Sequence, residues 1–114
     1  MNQILIIDDN KGFLEIVAEI LENAGYQVRT ASNGTEGIKL FNNSRFSLIL
    51  TDINMPGIDG NLVAENIRNS PKFEDTPIVA VTGSSREIKN GLFDDIIRKP
   101  FSTNKLLSTV ESFI

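Results

Sequence analysis

Cysteine, histidine and tryptophan are all absent from these 114 residues. Without cysteine there can be no disulfides and no thiol chemistry. Without histidine there is no imidazole base and no histidine metal ligand, so any bound metal must be held by oxygen. Basic residues are outnumbered 11 to 15, and a net charge of −4 with a pI near 4.7 leaves no basic stripe to displace counterions from phosphates. Direct binding to nucleic acid is therefore not expected. No apolar run approaches membrane-spanning length, and Met1-Asn2-Gln3 leads into the first apolar run without a signal-peptide layout. A cytoplasmic protein without membrane contact is expected. Low-complexity tracts and internal repeats are also missing.

What is present suits one domain over residues 1–114, with 40% hydrophobic residues and enough chain for a single core. Ile4–Ile7, Leu48–Leu50 and Ile78–Val81 are unbroken apolar runs rich in β-branched residues, as in parallel strands covered on both faces. Gln27–Ala31 and Asp95–Arg98 are short and carry charge, which suits the two sheet edges. Helices are predicted between them. The first carries a stripe of Phe13, Ile16, Val17, Ile20, Leu21 and Ala24, with Gly25 as its left-handed terminator. A second runs over about 34 to 42 with Gly37, Ile38 and Phe41 inward, and a third over about 61 to 69. The last starts at Ser102 with Leu106, Val110 and Phe113 on its buried face. From Thr82 to Lys99 only a short fourth helix, about 84 to 90, can be fitted. This alternation predicts an α/β fold with a doubly wound, five-stranded parallel sheet of order 2-1-3-4-5. In that order the ligand crevice lies at the carboxyl ends of strands one and three.

The residues leaving the strands at that end are Asp8 and Asp9, then Asp52, Thr82 and Lys99. Each has an ordinary explanation on its own: Asp8-Asp9-Asn10 as a helix cap, Asp52 as a turn starter, Thr82 as a cap, Lys99 as a solvated lysine. Their convergence on one crevice does not. Three carboxylates brought together repel, and a fold tolerates them when a cation compensates or one stays protonated. With Lys99 as the matching ammonium, the remaining deficit of two charges is that of a divalent cation. Hard oxygen donors in so sparse a pocket suit an octahedral Mg²⁺ that keeps waters and accepts a phosphate oxygen, with Mn²⁺ as a substitute. The Thr82 hydroxyl and the Lys99 ammonium suit the other oxygens of a phosphoryl group on Asp52.

The Asp8-Asp9 pair, the segment Asp52-Ile53-Asn54-Met55-Pro56-Gly57-Ile58-Asp59-Gly60, Thr82-Gly83 and Lys99-Pro100-Phe101 together resemble a response-regulator receiver domain of two-component signalling. The likeness is to chemotaxis-type regulators, with a flavodoxin-like (βα)5 fold, and it runs the length of the chain. The resemblance implies that Asp52 accepts phosphate from a sensor histidine kinase or histidine phosphotransferase. It also implies that Asp9, Asp52 and the Asn54 carbonyl bind Mg²⁺ directly and that Asp8 acts mostly through water. Thr82 and Lys99 would contact the phosphoryl group, Gly83 would give it room, and the Lys99-Pro100 bond would be cis. Such a domain is not an enzyme in the usual sense. It catalyses only its own phosphotransfer and slow autodephosphorylation, and it signals to an output partner or domain.

Two rival classes use similar parts. Haloacid-dehalogenase-type phosphatases also phosphorylate an aspartate at a strand end, but they need an acid two residues later, and Asn54 has no proton to exchange. A nucleotide-binding module would need a glycine-rich phosphate loop of the G-x-G-x-x-G or G-x-x-x-x-G-K-[ST] type, which the sequence lacks. A phosphorylation-independent docking domain is a third alternative, disfavoured because every expected site residue is intact. Two features concern signal transmission. Leu14, about 100° round from Phe13 and near the crevice, reads either as flanking core or as an apolar foothold for the kinase or phosphotransferase. Ile96 stands where the family usually has Tyr or Phe, so an aromatic relay is either absent or replaced by Phe93 or Phe101. Phosphorylation is expected to reorganise Gly83 to Gly91 by an order change rather than by rotating a ring.

Overall fold

Along each strand alternate side chains point to opposite faces, and here both faces are apolar, so the sheet must be covered on both sides. The computed structural model describes residues 2–83, 88–89 and 91–114. The elements run β1 (Gln3–Ile7), α1 (Lys11–Asn23), β2 (Gln27–Ala31), α2 (Gly34–Asn43), β3 (Leu48–Thr51), α3 (Gly60–Arg68), β4 (Ile78–Thr82), β5 (Asp95–Arg98) and α4 (Thr103–Phe113). All strands pair in parallel in the order β2-β1-β3-β4-β5, as the sequence predicts. Of the expected short helix over 84 to 90, only Ile88 and Lys89 are among the described residues, and neither is helical.

One face of the sheet (Ile4, Ile6, Leu50, Val79, Val81, Ile97) packs on Leu14, Val17 and Leu21 of α1 and on Leu106 and Val110 of α4. The other face (Leu5, Ile7, Ile49, Ile78) packs on Phe41 of α2 and on Val63, Ala64 and Ile67 of α3. Each fully buried Leu or Ile stabilises the fold by about 1.5–3 kcal/mol, so the sheet is a stiff platform for whatever its ends carry. Gly25 takes φ 99°, the terminator geometry expected after α1.

The buried face of α1 differs from expectation. Leu14 is only 5% exposed and belongs to the core, whereas Ile16 is 61% exposed and Ala24 is also exposed. The core-facing row is Leu14, Val17 and Leu21, at spacings of three and four, with Phe13 and Ile20 at its margins. A foothold at Leu14 is therefore ruled out, because its side chain is spent on the core. Alternation along β5 sets Ile96 opposite Ile97 and so on the α2/α3 side of the sheet. Phe93 packs on that side and Phe101 on the other, which leaves Phe93 as the only one of the two able to replace an aromatic at 96.

Candidate functional site

The parallel ladder runs past the ends of β1 and β3 and so fixes two carboxylates. The Asp8 N–H donates to the Ala31 carbonyl (3.1 Å) and the Asp52 N–H to the Ile7 carbonyl (2.9 Å). The Asp8 side chain is 1% exposed: its Oδ1 accepts from the Asn10 N–H (2.9 Å) and its Oδ2 from Lys99 Nζ (2.8 Å). Asp52 is 9% exposed, with Oδ1 accepting from the Ile53 N–H (2.7 Å) and Oδ2 3.6 Å from Lys99 Nζ. Asp9 is exposed at the mouth. Capping of α1 falls to Asn10, whose side chain accepts from the Phe13 N–H, so neither aspartate is consumed as a cap.

Lys99 reaches the carboxylates from β5. Its N–H donates to the Thr82 carbonyl (3.0 Å), which ties the last residue of β4 to the lysine, and its bond to Pro100 is cis. Thr82 is fully buried, while Gly83 and Pro100 are exposed. A Cβ on Gly83 would lie 3.4 Å from Lys99 Cβ, so a larger residue would crowd the lysine.

The turn after Asp52 is pinned at three points. The Gly60 N–H donates to the Ile53 carbonyl (2.9 Å), Met55 is buried among the α2/α3 core, and Asp59 caps α3 by accepting from the Leu62 N–H (2.9 Å). A Cβ on Gly60 would overlap the Asp52 carbonyl oxygen, so the close return of the chain requires glycine here. Asn54 stands exposed between these anchors.

One carboxylate oxygen each from Asp8, Asp9 and Asp52 lie within 4.8 Å of one another. Burial holds the Asp8 carboxyl above the ordinary carboxylate range and nearby Asp52 adds to the effect, while Lys99 and the Asn10 N–H offset part of it. This donor set fits Mg²⁺: it is all oxygen, it is short of positive charge by two, and it is open on the Asp9 side. Both Asp8 oxygens already have protein donors, so Asp9 and Asp52 are better able to offer oxygen directly.

One contact was not legible in the sequence. Lys99 Nζ sits 4.0 Å from the centroid of the Phe13 ring, which meets Phe101 edge-on (centroids 6.0 Å apart, 86° between planes). Phe13 reads in sequence as one more apolar residue of α1. Only its place four positions after Asp9 hints at the crevice.

The family model for the response regulator receiver domain matches residues 4–111. A probable transcriptional regulator, ycf27, of Cyanidium caldarium is 35% identical over 118 residues, covering 99% of this chain and 46% of its own length. The chain thus spans about half the length of that relative. Among solved structures, response regulator TrrA of Thermotoga maritima in complex with Mg²⁺-BeF is similar with a TM-score of 0.90 at 33% identity, covering 100% of both chains. The structure of histidine kinase ThkA in complex with TrrA matches with a TM-score of 0.87 at 33% identity, covering 100% of this chain and 99% of that one. With its sheet order, its strand-end acidic cluster and a family match over nearly its whole length, the chain belongs to the response regulator receiver domains, the phosphoacceptor modules of two-component signalling.

Proposed function

We propose that Asp52 is the phosphoacceptor and that the chain receives its phosphoryl group from the phosphohistidine of a sensor histidine kinase or histidine phosphotransferase. The observation that carries this reading is the placement of the Asp52 carboxylate at the end of β3, clustered with Asp8 and Asp9 and 3.6 Å from Oδ2 to Lys99 Nζ. A carboxylate oxygen of Asp52 forms the new bond to phosphorus as the P–N bond to the donor's histidine breaks, and the imidazole leaves. Rigid attachment to β3 and the Ile53 N–H on Oδ1 hold the nucleophile still. Lys99 turns from Asp8 to a phosphoryl oxygen, the Thr82 hydroxyl donates to another, and Gly83 and Pro100 leave them space.

Asp9, Asp52 and the Asn54 carbonyl would hold Mg²⁺, with Asp8 acting through water and Mn²⁺ able to replace it. When bound, the ion supplies neutralisation of the phosphoryl charge. The domain promotes its own phosphorylation and slow hydrolysis and is otherwise no enzyme, since Asn54 cannot serve as the acid a phosphatase needs. We read residues 1–114 as one receiver domain working in the cytoplasm, contacting neither membrane nor nucleic acid directly and switching an output partner or domain. The complex of TrrA with ThkA supports a kinase partner. Exposed Ile16, with Ile20, Pro100 and Phe101, lines an apolar groove beside Lys99 that suits the partner's helices.

Fluorine NMR with beryllofluoride tests the reading. A bound fluoroberyllate signal that requires Mg²⁺ and vanishes in Asp52→Asn is expected. No bound signal in the wild-type chain would overturn it.

A further inference from the structure

Resting on the phosphoacceptor reading, the geometry points to Phe13 as a positioning residue for Lys99. The ammonium has the buried Asp8 carboxylate at 2.8 Å, the Asp52 carboxylate at 3.6 Å and the Phe13 ring centroid at 4.0 Å. The ammonium thus lies over the face of the ring while both carboxylates are within reach, and a cation over a ring face is attracted by the ring quadrupole. The lysine side chain is only 24% exposed, so the ring takes the place of water on part of the ammonium and little solvent screens the attraction.

This matters because the two carboxylates compete. Asp8 holds the shorter contact, and a lysine free to settle there would be drawn away from the group arriving on Asp52. A π face is directionally soft: it holds the ammonium near the rim while its N–H groups trade one oxygen for another. The ring itself is fixed. It sits in the first turn of α1, packs on the core, and is braced edge-on by Phe101, two residues beyond Lys99. Phe13 therefore limits how far Lys99 can stray during the exchange from Asp8 to a phosphoryl oxygen.

The competing view is that Phe13 only fills space, and Phe13→Leu and Phe13→Tyr separate the two. Leucine keeps an apolar side chain but has no π face, whereas tyrosine keeps the face. In proton–carbon NMR spectra of the wild-type chain, the Lys99 ε-methylene protons should be shifted upfield by the ring. That shift should persist in Phe13→Tyr and vanish in Phe13→Leu. Acetyl phosphate labelling with Mg²⁺ should slow roughly threefold to thirtyfold in Phe13→Leu and stay near wild type in Phe13→Tyr. In a Lys99→Met background, Phe13→Leu should cost nothing further. Labelling of Phe13→Leu at the wild-type rate, or an equal slowing with and without the Lys99 ammonium, would overturn the role of Phe13 while leaving the phosphoacceptor reading intact. Absence of labelling in the wild-type chain would overturn both.

Discussion

The two ends of the sheet are built on opposite principles. At the amino end polar groups are matched. Gln3 Nε2 donates to the Arg45 carbonyl (3.0 Å), Ser47 Oγ donates to Asn2 Oδ1 (3.2 Å), and Asp94 Oδ2 takes both the Ile78 N–H (2.8 Å) and Arg68 (3.2 Å). At the carboxyl end Asp8, Asp9 and Asp52 crowd together, and among the described residues one ammonium, that of Lys99, pairs with both Asp8 and Asp52. The amino end closes the fold, while the carboxyl end holds a surplus of negative charge that a bound cation or a proton on Asp8 relieves. The same core supports both, so removing a side chain should have effects of opposite sign at the two ends.

The largest departure is expected at the turn beside Asp52. Gly60→Ala forces a methyl group into the Asp52 carbonyl and should destabilise by about 3 kcal/mol, with weaker Mg²⁺ binding, read by urea unfolding and metal titration. At the amino end, Asp94→Ala strips an acceptor from the Ile78 N–H and a partner from Arg68. It should cost about 1–2 kcal/mol with Mg²⁺ affinity unchanged. Equal losses of metal affinity in these two variants would erase the contrast between the ends.

Asp8→Asn should act in the other direction. In chelator it should stabilise by about 1 kcal/mol, a rise of about 4 °C in Tm, because it removes one of three crowded carboxylates. The pH dependence gives the sign independently. Asp8's carboxyl is raised in the folded protein, so folding favours its protonated form. That stabilisation is complete below the unfolded pKa and is lost as pH rises through the higher folded value. Thermal melts in chelator should show the wild-type chain losing this stability with rising pH and Asp8→Asn losing less. A drop in Tm for Asp8→Asn would refute the idea of strain. The smallest effect, about 0.5 kcal/mol, is expected for Gln3→Ala, which loses one exposed hydrogen bond.

What the sequence made legible follows the same division. The β1, β3 and β4 runs are short, β-branched and apolar on both faces, whereas β2 and β5 carry charge, and that contrast carried the strand order and the strand-end positions of Asp8, Asp52, Thr82 and Lys99. The face of α1 was ambiguous because Phe13, Leu14, Ile16, Val17, Ile20 and Leu21 spread over about 160° of the helix, a wider arc than the buried row of Leu14, Val17 and Leu21. Only packing against Ile4, Ile6 and Leu50 selects Leu14 over Ile16. The Phe13 contact with Lys99 joins residues remote in sequence, and no periodicity encodes it. The expected short helix over 84 to 90, and the order change expected there, lie mostly outside the described residues. On the described side, Asn61 holds the Lys89 N–H (3.0 Å) and links α3 to that connection.

Location of the phosphoryl group tests the central claim most directly. After incubation with acetyl phosphate and Mg²⁺, borohydride reduction followed by peptide mapping should mark position 52. The mark should be absent without Mg²⁺ and absent in Asp52→Ala. A mark on Asp8, Asp9 or Asp59 in the wild-type chain, or undiminished labelling of Asp52→Ala, would contradict the account.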